Sequence, residues 1–153
     1  MMPARKVAGR KRHVVVDSVG NLLAIAVDTA AMSDAAGARW VLGRTRARWP
    51  NLAKGWADQT YRGTLVEWAR QTYGIDLEIV QRPAEAKGFL LLPRRWVVER
   101  SLAWLGRARR LSKEYEHHPD HTECISYLAS CQRLLQRLCP VPTREAPYLR
   151  KTG

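Results

Sequence analysis

Glu99 stands alone as a carboxylate in a stretch crowded with cations. From Arg94 to Lys113 the sequence sets Arg94, Arg95, Arg100, Arg107, Arg109, Arg110 and Lys113 against that one acid. Arg95 comes one helical turn earlier, so a helix puts both side chains on one face. Ala103 and Gly106 continue the face with small residues, leaving room for a bulky group to approach the acid. A basic helix with a recessed carboxylate suits a protein that grips a phosphate backbone and holds a divalent metal against it. The plainer reading is an amphipathic helix with a solvated basic side and an internal Arg95–Glu99 pair.

Asp58 is the second acid of interest. It follows Trp56-Ala57, a short strand pattern, and precedes a loop and a helix start. In open α/β sheets, ligands and catalytic groups gather at such strand ends. Asp58 and Glu99 are therefore candidate catalytic residues and candidate metal ligands. Hard cations such as Mg²⁺ (or Mn²⁺) take oxygen ligands, which accounts for acids rather than His or Cys. A shared metal cluster requires the two carboxylates within roughly 10 Å of each other. A strand-end turn role for Asp58 is the plainer alternative.

Composition limits what surrounds these acids. The chain has 153 residues, 46% of them hydrophobic, with six tryptophans. That is enough for one domain with a sizeable core. A balance of 26 Lys+Arg to 14 Asp+Glu leaves a formal charge of +12, which favours phosphate backbones or anionic surfaces as partners. No apolar run reaches the roughly 20 residues of a membrane span, and no signal core follows the basic start, so cytoplasmic residence is expected. Cys124, Cys131 and Cys139 form no CxxC pair. Cys124, Leu128, Cys131, Leu135 and Leu138 repeat at steps of four and three, the stripe expected of a buried helix face, with two of the thiols as small core residues.

The positioning elements are legible from periodicity. Residues 1–12 read as a basic arm, 13–139 as the domain, and 140–153 as a tail. His13–Val16 and Leu22–Asp28 are apolar strands joined by Asp17–Asn21, a hairpin. Ser33 caps a helix carrying Ala38, Val41, Leu42, Thr45 and Trp49 on one face and stopping before Pro50. Thr64 and Glu67 match a capping box for a helix ending at Gly74. Ile75, Leu77 and Ile79 mark a half-buried strand, and Arg82–Pro93 a loop. Helices over about 94–112 and 121–138 close the chain. The order β-β-α-β-α-β-α-α indicates an α/β fold, a mixed sheet flanked by helices.

The segments GRKRHVVVDSVGNLLAIAVDTAAMSDAAGA, WADQTYRG and PRRWVVERSLAWLGRARRLSKEYE together resemble the insertion-sequence DDE transposases, with their ribonuclease H-like catalytic core. The resemblance spans about residues 9–139. It implies Mg²⁺-dependent DNA strand cleavage and transfer, with Asp58 as the second acid of the triad and Glu99 as the third. Arg95 matches the family's arginine four residues before the glutamate. The family's tyrosine seven residues before it falls on Leu92, and its later basic residue falls on Gly106, with Arg107 one place on. Arg94, Arg95, Arg100, Arg107, Arg110, Lys113, Lys11 and Arg12 are the expected DNA contacts. DNA, as element ends and target, is the implied partner, alongside a second copy or an upstream-frame product. The family's first aspartate lies on a strand upstream of GRKRH, where this sequence has MMPARKVA. The chain thus resembles the downstream portion of a transposase, its first strand missing. The alternative is a non-catalytic DNA-binding regulator or remnant.

Overall fold

Four strands and four helices alternate in the computed structural model, which describes residues 9–81 and 93–140. They are β1 (Arg10–Val16), β2 (Leu22–Thr29), α1 (Asp34–Arg48), β3 (Lys54–Asp58), α2 (Thr64–Tyr73), β4 (Asp76–Val80), α3 (Pro93–Gly106) and α4 (Pro119–Leu138). Short 3₁₀ turns at Gln59–Tyr61 and Arg109–Leu111 complete the order. This is the succession read from periodicity. Of the loop expected over Arg82–Pro93, residues 82–92 lie outside the described residues, as do the first eight residues and the tail beyond Pro140, while Pro93 already opens α3.

β1 pairs antiparallel with β2, and β3 pairs in parallel with β4. The class is α/β with mixed strand directions, as expected. Among the described residues, however, the strands form two separate two-stranded ladders rather than one continuous sheet. α3 packs against both β1 and β3 and so touches each ladder. β1 also begins at Arg10, three residues earlier than its apolar run suggests. Its cations find acceptors that hold them in the strand. Arg10 and Arg12 reach Glu114 at 3.3 and 3.5 Å, and Lys11 reaches Asp34 at 3.0 Å.

β2 is the most buried strand, because α1 and α4 both pack on it. Its run Ala24-Ile25-Ala26-Val27 is fully enclosed, the continuous apolar pattern of a strand covered on two faces. Ala24 and Ala26 meet Val41 of α1. The same buried face of α1 gives Ala38 and Leu42 to a second cluster with Leu65, Ala69, Ile75 and Leu77. The outer edge of β2 is closed by side chains. Val27 N–H donates to Glu123 Oε1 at 2.9 Å, and Ile25 N–H to the Tyr127 hydroxyl at 3.2 Å. Arg44 donates to the Ile25 carbonyl at 2.9 Å and also pairs with Glu123.

Three expectations need correction. α4 turns its polar residues inward: Thr122, Glu123 and Ser126 are buried, whereas Leu128, Leu135 and Leu138 are exposed, as are all three cysteines, which are free. The step-of-three-and-four stripe is real, but β2's unpaired amides require acceptors, and Glu123 and Tyr127 supply them from the flank of the helix beside it. The capping box of α2 does not form either. Gly63 is the N-cap, with no side-chain cap bond, and Glu67 instead accepts from Gln71 at 2.7 Å. Finally, α3 stops at Gly106 instead of running to 112. Its end tightens through Arg107 N–H to Trp104 C=O (3.2 Å) and Ala108 N–H to Leu105 C=O (3.0 Å). Arg107, Arg110 and Lys113 therefore lie beyond the helix.

Candidate active site

Asp58 is the last residue of β3, and its side chain is used locally. Its Oδ1 accepts from Thr60 N–H at 2.9 Å and from the Thr60 hydroxyl, capping the 3₁₀ turn. The turn role and the strand-end position thus coexist in one residue. Tyr61 lies close by. Burial raises its phenol pKa above the ordinary range, and the charges of Asp34 and Asp58 push the same way.

Glu99 sits on the exposed side of α3. Arg95 Nε donates to Glu99 Oε1 at 2.8 Å, the one-turn spacing read from the sequence, with about half of each side chain exposed (53% and 55%). Ala103 and Gly106 are exposed on the same side, and a Cβ built at Gly106 meets nothing within 4 Å. The expected open approach to the acid is present. The N-terminal turn of α3 meets β3 through Arg94, whose guanidinium lies 3.7 Å over the Trp56 ring, two residues before Asp58. Across the ladder from Trp56, Glu78 accepts from Trp56 Nε1 (3.1 Å) and pairs with Lys54 (3.0 Å). Those two donors, with Lys54 and Arg94 charges beside them, hold the Glu78 carboxyl below its usual range.

The other basic candidates are dispersed. Arg100, next to Glu99, leaves the acid's side: its guanidinium stacks between Trp96 and Trp104 at 4.5 and 4.6 Å, and its Nη2 donates to Val19 C=O at 3.1 Å. Lys11 and Arg12 are tied to Asp34 and Glu114, and Arg110 to Glu116 at 2.5 Å. Arg107 lines a cleft beyond the end of α3, and Lys113 is exposed in a turn. Leu92, at the family's tyrosine position, lies outside the described residues. Among the described residues no group of three or more His, Cys, Asp or Glu is placed to hold a metal ion.

Tryptophan was read from the sequence as core-forming, yet Trp40, Trp56 and Trp96 each leave more than a third of their surface exposed beneath a guanidinium. The signal was in the spacing: Trp96, Arg100 and Trp104 follow at steps of four. Arg133, missed entirely, adds a second guanidinium 3.5 Å over Trp104.

A strand-end aspartate, a helical glutamate paired with arginine and a surplus of cations define a class of site suited to phosphate-backbone chemistry. The family comparison makes this specific. The family described as "Transposase DDE domain" matches residues 3–131, and the chain belongs to that family. No curated protein and no solved structure matches it. No helix among the described residues is long and apolar enough to cross a membrane.

Proposed function

We propose that this chain acts as part of the catalytic machinery of an insertion-sequence DDE transposase, in metal-dependent DNA strand cleavage and transfer. The observation carrying the proposal is Asp58 at the end of β3 with α3, bearing Arg95–Glu99, packed against that strand. Asp58 and Glu99 are the proposed metal ligands. Each keeps one carboxylate oxygen that accepts no hydrogen bond from a described residue, since Thr60 and Arg95 use Oδ1 and Oε1. Two hard oxygen donors fit Mg²⁺ or Mn²⁺, which binds through one or two carboxylates plus substrate phosphate. When bound, such a cation activates water or a 3′-hydroxyl and steadies the leaving oxygen.

The chain's own residues do the positioning. Arg95 fixes the Glu99 rotamer, and Trp56 holds the Arg94 plane where a phosphate can meet it. Arg100, Arg107, Arg110, Lys113, Lys11 and Arg12 extend the basic surface. Lys11, Arg12 and Arg110 share their charge with carboxylates already, so they give less to DNA.

The finer part of the proposal is that a further strand, carrying the first acid, belongs beside β1. Its support is an asymmetry within the hairpin. Glu123, Tyr127 and Arg44 close the outer edge of β2, while no described strand pairs with the other edge of β1. An open edge is a ready template for strand addition. A longer product from an upstream reading frame, or a second copy, is the proposed source, with the cytoplasm as the compartment.

A non-catalytic DNA-binding regulator is the second reading, favoured by the local use of both acids: Asp58 caps a turn and Glu99 pairs with Arg95. One experiment separates the two. A longer form with the upstream aspartate should cleave DNA carrying element ends in Mg²⁺. Asp58→Ala or Glu99→Ala should abolish cleavage while DNA binding persists. Cleavage that survives both substitutions would remove these acids from the site.

A further inference from the structure

A cleft of about 690 Å³ opens between the β1–β2 hairpin, α3 and α4, and neither Asp58 nor Glu99 lines it. Its walls carry Arg100, Arg107, Arg133 and Arg137, together with two glutamines and no acidic side chain. Three of these guanidiniums converge on the hairpin turn, yet each engages a neutral oxygen. Arg100 donates to Val19 C=O (3.1 Å), Arg133 to Gly20 C=O (3.4 Å) and Arg137 to Asn21 Oδ1 (3.4 Å). Asp17, at the start of that turn, is already satisfied by Val19 N–H (2.9 Å) and by the Asn21 amide N–H and side chain (2.8 Å each).

The arrangement is held in place rather than floating. Trp104 carries two guanidiniums, Arg133 at 3.5 Å and Arg100 at 4.6 Å, and Arg100 is capped on its other side by Trp96 at 4.5 Å. Arg100 Nε is buried and donates to no described atom. Gly20, at φ +88°, lets the turn press onto α3, since a Cβ there would fall 2.7 Å from Ser101 Oγ. Burial lowers the Arg133 pKa, the neighbouring charges of Arg137 and Arg100 lower it further, and the charge of Asp17 opposes them only in part. Like charges crowded with no described carboxylate in an ion pair with them can take up an anion. Planar guanidiniums with spare N–H groups match phosphate oxygens, and stacking on indole reduces the entropy lost on binding.

We propose that this cleft is a second DNA-backbone site, in which Arg100, Arg133 and Arg137 hold phosphodiesters on the side of α3 away from Glu99. The proposal rests on the reading of the chain as a DNA-handling protein; it adds Arg133 and Arg137, which that reading did not assign, and moves Arg100 from the Glu99 side to the cleft. The substrate then engages two sides of α3, the reacting strand near Glu99 and a flanking segment in the cleft.

The test uses the full chain and duplex DNA, with affinity followed by fluorescence anisotropy across salt. Arg133→Gln with Arg137→Gln should weaken binding about tenfold and flatten the slope of log K against log salt by roughly 0.9 per lost phosphate contact. Arg62→Gln with Arg109→Gln removes the same charge from exposed positions outside the cleft and should leave the slope nearly unchanged. Equal losses in both double variants, or none in the cleft variant while the wild type binds DNA, would overturn the cleft and leave the transposase reading standing. A wild type that binds no DNA would instead remove that reading, and the cleft with it. Phenylglyoxal modification of the wild-type chain needs no variant to fold. DNA should shield Arg100, Arg133 and Arg137 at phosphate concentrations where inorganic tripolyphosphate does not. Shielding by tripolyphosphate alone, or shielding of other arginines only, would overturn the assignment to nucleic acid.

Discussion

Two arginine–glutamate pairs in this chain share their chemistry and nothing else. Arg44–Glu123 joins residues far apart in sequence where α1, β2 and α4 meet, and the Glu123 side chain is only 10% exposed. Arg95–Glu99 spans one turn of α3, with both side chains about half exposed (53% and 55%). Glu123 also accepts from the Val27 amide, so it completes a strand edge. Glu99 accepts from Arg95 at one oxygen and faces an open side lined by Ala103 and Gly106. An ion pair's consequence thus follows from what else its atoms must satisfy. The inner pair holds the fold together, while the outer pair is free to serve a ligand.

The largest effect should come from breaking the inner pair. Glu123→Ala leaves Arg44 uncompensated and the Val27 amide unbonded inside the protein. Removing one member of a fully buried pair costs about 3–5 kcal/mol; with 32% of the Arg44 side chain exposed, denaturant unfolding should show a loss at the lower end, about 3 kcal/mol. A loss below 1 kcal/mol would mean that water replaces the carboxylate and that the edge of β2 is not closed by it.

Glycine at the two locations gives the next contrast. A Cβ at Gly37 on α1 would sit 2.1 Å from His13 Nε2, whereas one at Gly106 meets nothing within 4 Å. Gly37→Ala should therefore destabilise by roughly 1–3 kcal/mol through overpacking, and Gly106→Ala should change stability by less than about 1 kcal/mol. Thermal melts of the two variants, side by side, measure the difference directly.

His13 lies on the inner side of the comparison, and its signature is a pH dependence. It is buried, its Nε2 has no partner among the described residues, and burial lowers its pKa below 6.5 against the pull of Asp34. The unfolded chain therefore takes up the proton first as pH falls. The contribution of neutral His13 is fully present above the unfolded value and is lost progressively as pH drops below about 6.5 toward the depressed folded value. Urea titrations from pH 8 to pH 5 should show this decline, and His13→Gln should flatten it.

The smallest stability effect belongs to the outer pair. Glu99→Gln removes an exposed one-turn ion pair, and such pairs contribute about 0.3–0.5 kcal/mol. Its melting curve should nearly overlay the wild type even though cleavage by the longer form is abolished. A large loss of stability would place Glu99 among the structural residues instead.

The sequence carried the element order because strand and helix periods differ, and the hairpin, the Ser33 cap and the Gly74 stop are all local signals. Arg95–Glu99 was legible for the same reason, as a pair four residues apart on one helix. Glu123 was not, because its need arises from β2 amides nearly a hundred residues away. The α4 stripe misled for that reason: periodicity located a face, but an unpaired strand edge decided which face turned inward. The early end of α3 also escaped, since Arg107, Arg109 and Arg110 carry no local stop signal of their own. Arg133 and Arg137 escaped because their convergence on the hairpin turn depends on how α4 packs, whereas Trp96-Arg100-Trp104 is a local spacing of four.

The central claim is that Asp58 and Glu99 face one metal site, and iron-directed backbone cleavage tests it most directly. With duplex DNA present, Fe²⁺ takes the place of Mg²⁺, and the hydroxyl radicals it generates with ascorbate and peroxide cut the nearest peptide bonds. The account predicts two clusters of cuts, one around Asp58 and one around Glu99, both suppressed by excess Mg²⁺ and both lost in Asp58→Ala. Cuts at only one of the two segments, or cuts at both that Mg²⁺ does not suppress, would contradict it.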